Sequence, residues 1–178
     1  FILLSLLFSA SAECTHLRPI VIIPDYGHSS LYAHYSGKTG CNGDSVELVY
    51  KKGVTMTDCQ NEQIRVLYNA SAAQFVNVRG VNITASSNDE PIKGLLSHLQ
   101  SIGYQRNKTL FVLDYDWRNK HPELPELKSK MVLVGIGFGG NIISNLLASA
   151  GKSWAVSHVQ RVITLNTPWN GEIGRASC

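Results

Sequence analysis

Residues Met131 to Gly140 read M-V-L-V-G-I-G-F-G-G and run into N-I-I-S-N-L-L-A-S-A, Asn141 to Ala150, before Gly151. An apolar strand pattern enters a turn dense in glycine and leaves as a helix pattern. Two chemistries use such a turn. In the first, Gly135, Gly137 and Gly140 match G-x-G-x-x-G, the dinucleotide fingerprint whose pyrophosphate rests on the helix N-terminus. That fingerprint also requires an acidic residue about 20 positions on for the ribose hydroxyl, and Asn141 to Gly171 contains neither Asp nor Glu. In the second, the nucleophile elbow G-x-S-x-G, a Ser projects from a strained strand-to-helix turn above the sheet. Gly135 and Gly139 keep that frame, but its centre is Gly137. The turn is present without its nucleophile. Ile136 and Phe138 offer no substitute, and Ser144 lies well inside the helix and faces elsewhere.

A turn of this kind works only at the end of a buried strand, and the chain supplies several. Ile20 to Ile23 is a β-branched run between Pro19 and Pro24, and Thr109 to Asp114, Met131 to Val134 and Val159 to Leu165 are further strand candidates. Pro91 to Gly103 spaces Ile92, Leu95, Leu96, Leu99 and Ile102 as the apolar face of a helix, with Pro in its first turn and Gly just past its end. Ile64 to Tyr68 alternates like a half-exposed strand. Strands alternating with helices imply an α/β fold with a mostly parallel sheet and helices on its faces. Asp25 to Asp58, rich in Gly, Ser, Tyr and Lys, shows little periodicity and reads as a long loop or small cap. The crossover from Asp114 to Met131 is short and contains Pro122 and Pro125, leaving only Leu124 to Lys130 able to be helical.

Composition narrows the function class. The chain has 178 residues, 16 Lys+Arg against 13 Asp+Glu, and 44% hydrophobic residues. A net charge of +3 with no basic run longer than Lys51-Lys52 argues against nucleic-acid binding, and no apolar stretch reaches the length of a transmembrane helix. Phe1 to Ala12 carries no charge and ends in small residues, the pattern of a secretory signal peptide with its cleavage site, so residues 13–178 form the folded part. Export permits disulfides among Cys14, Cys41, Cys59 and Cys178, for which three pairings exist. The sequons at Asn69, Asn82 and Asn107 fit a secreted glycoprotein or one of the endomembrane or lysosomal lumen.

Several segments together resemble the lecithin:cholesterol acyltransferase family, which includes a lysosomal phospholipase/transacylase. Arg18-Pro19-Ile20-Val21-Ile22-Ile23-Pro24, with Leu31 and Ala33, is similar to its opening strand and loop, R-P-V-x-x-V-P-G…L-E-A. Asn61 to Asn69 is similar to the segment after a lid cysteine. Gly103-Tyr104 and Tyr115-Asp116-Trp117-Arg118 match G-Y…Y-D-W-R, and Leu165 to Gly171 resembles L-G-A-P-W-G-G. The resemblance implies an α/β-hydrolase fold and O-acyl transfer or phospholipase action on a glycerophospholipid ester, with a lipid surface as partner and no cofactor or metal. It implies oxyanion amides at Phe138 and Tyr26, a nucleophile position at Gly137, and a Cys41–Cys59 pair clamping a lid or cap within residues 25–60.

The chain also departs from that pattern. Gly137 replaces the nucleophile, Asp25 replaces the glycine after the first strand's proline, and the helix before the elbow strand is shortened. The family's acid and histidine follow T-P-W-G-G, where this chain ends at Cys178, so the resemblance implies a hydrolase sheet incomplete at its C-terminus, with an unpaired edge. None of His16, His28, His34, His98, His121 and His158 matches the catalytic histidine, and each reads as a surface or loop residue. The expectation is a chain without acyltransferase turnover, either a truncated or diverged copy or a pseudoenzyme that binds lipid. A dinucleotide-binding domain is the remaining alternative.

Overall fold

The computed structural model describes residues 17–86, 90–118 and 123–170; the proposed signal peptide, Cys14, His16, His121 and Cys178 lie outside them. In chain order the elements are β1 (Ile20–Ile23), β2 (Ser30–Tyr35), β3 (Val46–Tyr50), α1 (Asp58–Gln63), β4 (Val66–Asn69), β5 (Gln74–Asn77), β6 (Val81–Ser86), α2 (Lys93–Ser101), β7 (Leu110–Val112), β8 (Met131–Ile136), α3 (Gly139–His158) and β9 (Val159–Leu165). A single 3-10 turn, Glu90–Ile92, leads into α2.

Four strands form a parallel sheet in the order β7-β1-β8-β9. The central strands β1 and β8 are covered on both faces, which is why they read as continuous apolar runs rather than alternating ones, whereas the edge strand β9 is largely exposed. Side chains still alternate between the faces. Val21 and Ile23 of β1 join Met131 and Leu133 of β8 against Ile142 and Ile143 of α3. Ile22 and Val134 point to the opposite face, where they meet Leu110 of β7, Ile92, and Leu96 of α2. This is the α/β arrangement anticipated, with one helix on each face.

The sheet order also locates the working edge. From β1 the chain passes to β7 on one side and then to β8 on the other, so the order reverses between β1 and β8. Loops leaving the C-terminal ends of strands diverge at such a switch point and leave a crevice there. The loop after β1 and the glycine turn after β8 are the two segments that border it.

Four expectations need correcting. Residues 25–58, expected to be a long loop or small cap, are not an irregular loop throughout, because β2 and β3 pair antiparallel there and β6 joins β2 on its other side. The pattern in β3 misleads because its buried positions are Glu47 and Val49, while Val46 and Leu48 are exposed. Glu47 tolerates burial because its carboxylate accepts hydrogen bonds from the Cys41 and Asn42 amides and the Tyr35 hydroxyl. Leu124 and Leu127 pack on the sheet without forming a helix, so the described part of the β7–β8 crossover is irregular. In α2 the expected apolar face holds except at Ile102, which caps the helix and is exposed. Gly151 ends the first helical run as anticipated, at φ 80, but a second run carries α3 on to His158.

The second sheet has its own core of Leu31, Ala33, Val49, Val81 and Ile83, and Trp117 packs against this cluster and the first one. Cys41 and Cys59 are bridged, at a sequence separation of 18, a loop for which chain-entropy reasoning gives about 3 kcal/mol of stabilisation. Cys59 lies in α1, whose start is held by reciprocal Thr57 and Gln60 hydrogen bonds. Leu133 is fully buried at the centre of the parallel sheet. Leu133→Ala should therefore cost about 3 kcal/mol, read as a lowered urea midpoint with unchanged slope.

Candidate functional site

The site begins with close packing at the end of β8. A Cβ on Gly135 would come within 2.6 Å of the Gly140 Cα, and one on Gly139 would strike the Ile23 carbonyl. The first turn of α3 therefore lies directly on the ends of β1 and β8, with no room for side chains at either position. Gly137, between them, has φ 54, the left-handed region in which glycine is favoured. Its amide donates to the Leu165 carbonyl at the end of β9 (2.8 Å), which fixes the turn to the sheet.

Phe138 and Tyr26, the two expected oxyanion donors, are brought together. Their backbone N–H groups converge on one atom, Oδ1 of Asp25, at 2.7 Å from Phe138 and 2.9 Å from Tyr26. The carboxylate also occupies the space above Gly137, because a Cβ built there would fall on the Asp25 side chain. The acceptor position between the two amides and the space above Gly137 are thus filled by one residue of the chain itself.

Y-D-W-R holds the loop that carries Asp25 and Tyr26. The Tyr115 hydroxyl donates to the Pro24 carbonyl (3.0 Å). Burial and then the nearby Asp25 charge push that phenol well above its usual range. Trp117 donates from Nε1 to the Ser29 carbonyl (3.1 Å) and stands edge-on to Tyr26 and Tyr50, with ring centroids 4.5 and 4.6 Å away. Both ends of the segment Pro24 to Ser29 are therefore pinned. Asp116 and Arg118 form a buried ion pair, and Arg118 extends it to the Ile64 carbonyl and to Asn77 Oδ1 (2.8 Å), tying the β4–β5 hairpin to the sheet.

The segment after β9 closes the other side. Thr167 packs where a Gly140 side chain would sit, and Asn141 Nδ2 donates to the Pro168 carbonyl (3.3 Å). Tyr26, Phe138 and Trp169 stay exposed on the segments that converge at the start of α3. Asn69, Asn82 and Asn107 are all exposed. Ser144 is exposed on α3. Among the histidines, His34 meets Thr84 Oγ1 (2.8 Å) and His158 stacks on Trp154. His28 is a loop residue, as expected, but a buried one: it lies in the loop after β1, with its amide donating to the Asp25 carbonyl (3.1 Å).

Residues 30–176 match the family model for lecithin:cholesterol acyltransferase. The chain belongs to the lecithin:cholesterol acyltransferase family. Among similar proteins are phosphatidylcholine-sterol acyltransferases of Gallus gallus, 24% identical over 145 residues, and Rattus norvegicus, 24% identical over 221 residues. These alignments cover 65% and 97% of this chain but 35% and 49% of the relatives. The chain thus spans about half the length, or less, of the relatives it matches.

Asp25 stands out in the sequence as a departure that alters the loop after β1, but nothing local in the sequence signals the Arg118 link to Ile64 and Asn77. Removing Arg118 leaves the Asp116 carboxylate buried without its partner. Arg118→Ala should cost about 3 kcal/mol or more and expose the β4–β5 hairpin to protease ahead of the sheet. A cleavage pattern identical to the unmodified chain would contradict the hairpin's dependence on Arg118.

Proposed function

We propose that this chain is a lipid-directed, non-turnover member of its family, engaging a phospholipid surface without cleaving or transferring the ester. The observation that carries this reading is Gly137 at the elbow with the Asp25 carboxylate over it. Acyl transfer by an elbow needs a side-chain oxygen to attack the carbonyl and two amides to hold the oxyanion that results. Gly137 offers no such oxygen. The residual catalysis that an oxyanion hole and binding give when a triad is removed needs free donors, and both are already bonded to Asp25.

Lipid as the target follows from the family and from the names of the relatives, phosphatidylcholine-sterol acyltransferases. Exposed apolar rings support it. Tyr68 and Phe75 pair edge-to-face across the β4–β5 hairpin at 5.4 Å and are each 61% exposed. Such a ring pair gains by entering the headgroup boundary of a membrane, where aromatic side chains bury their apolar body. No helix among the described residues is long and apolar enough to cross a membrane, so the contact proposed is peripheral. The disulfide and the three exposed sequons support a secreted or lumenal compartment, with glycans on Asn69, Asn82 and Asn107.

The dinucleotide reading of Gly135, Gly137 and Gly140 has a physical obstacle. A pyrophosphate at that turn would face the Asp25 carboxylate, already bonded to the Phe138 amide. Like charge in the cradle disfavours it.

The chain should float with phosphatidylcholine vesicles and release no fatty acid from them. Tyr68→Ser with Phe75→Ser should weaken flotation while leaving the urea midpoint nearly unchanged, because both rings are exposed. Gly137→Ser alone should restore no hydrolysis of a short-chain ester. Fatty-acid release by the unmodified chain, or ester hydrolysis gained by Gly137→Ser, would overturn the non-turnover reading; absence of flotation would overturn the lipid reading.

A further inference from the structure

We propose that Asp25 is an internal ligand of the elbow's anion cradle, that Asp25 and Gly137 form one coupled pair, and that removing the Asp25 side chain opens a site for a small carboxylate. This concerns the cradle itself and holds whether or not the chain engages lipid.

The geometry resembles a bound anion rather than a chance surface contact. Two backbone N–H groups from segments 112 residues apart in sequence, those of Tyr26 and Phe138, point at the single oxygen Oδ1, at 2.9 and 2.7 Å. Convergent amides of this kind are what a cradle presents to a developing oxyanion. Hydrogen bonds to an ionised acceptor are short and strong. The donors are also fixed independently of Asp25. The Phe138 amide sits in a turn anchored by the bond from Gly137 to Leu165 and by the close approach of Gly139 to Ile23, and the Tyr26 segment is pinned through Tyr115 and Trp117. A cradle held by such supports keeps its shape when the carboxylate is removed, which is the condition for an exogenous anion to replace it.

Space makes the two positions compete. A Cβ at residue 137 collides with the Asp25 carboxyl group where it now lies. A side chain at 137 therefore requires the Asp25 carboxylate to swing out of the cradle and give up its two amide donors. In this chain a carboxylate on one loop takes the volume above Gly137 and the two amide donors that converge there.

A double-mutant cycle on the full chain tests the coupling, because the left-handed strain of any residue replacing Gly137 appears in both arms and cancels. Gly137→Ala should raise the unfolding equilibrium constant about tenfold more in the unmodified chain than in the Asp25→Gly chain. Equal effects, or failure to fold in both backgrounds, would overturn the coupling; folding of the Gly137→Ala chain only when Asp25 is also replaced would support it. The ligand claim is read by NMR. The Tyr26 and Phe138 amide proton signals should move upfield in Asp25→Gly and return towards their original positions as sodium acetate is added, saturably, with no such response in the unmodified chain. Amide signals that ignore Asp25→Gly, or that ignore acetate afterwards, would overturn it.

Discussion

Everything at the working edge depends on how closely the first turn of α3 lies on the ends of β1 and β8. Gly139 rests against the Ile23 carbonyl and Gly135 against Gly140, at separations that exclude any Cβ. This contact converts a sheet edge into a cradle, because it brings the Phe138 amide beside the loop leaving β1. Had either glycine been larger, the helix would stand off and the two loops would not share an acceptor. The carboxylate of Asp25 then lies at the meeting point, bonded to both sides.

A second constraint sets the loop's position, and it comes from four consecutive residues that follow β7. Tyr115 and Trp117 hold its two ends by single hydrogen bonds to carbonyls, while Tyr26 and Tyr50 flank the indole. Asp116 and Arg118 face the other way, towards the β4–β5 hairpin. An ion pair with both side chains almost wholly buried is costly to desolvate, and here the cost is offset by further acceptors on the guanidinium. One short segment therefore couples the parallel sheet, the antiparallel sheet and the hairpin. Trp117, packed against both hydrophobic clusters, is where the two layers meet.

The centre of the parallel sheet is legible because β1 and β8 are buried on both faces, so Ile20–Ile23 and Met131–Ile136 stand out as apolar runs bounded by Pro or Gly. The same criterion failed over residues 25–58. There β2 and β3 mix tyrosines, serines and an inward-facing Glu47, and burial of that carboxylate depends on amides 5 and 6 residues away plus Tyr35. No local pattern encodes such a partnership. Strand β5 has no fully buried residue to mark it, and β6, which alternates Val81 and Ile83 inward with Asn82 and Thr84 outward, pairs with β2, distant in the chain. At the site, glycine spacing identified the elbow and the family motifs located its amides. What occupies the cradle could not be read, because Asp25 and Phe138 are 113 residues apart.

By itself the sequence determined the apolar strands, the glycine frame of the turn with Gly137 at its centre, and membership of an acyltransferase family, all of which are local properties or sums of local matches. Tertiary structure alone decided that Asp25 fills the cradle and that Arg118 fastens the hairpin. Each of these is a contact between segments brought together by the β7-β1-β8-β9 sheet order and the layer above it. A hydrogen bond or a steric exclusion acts over a few ångströms, and sequence distance carries no information about which atoms will come that close.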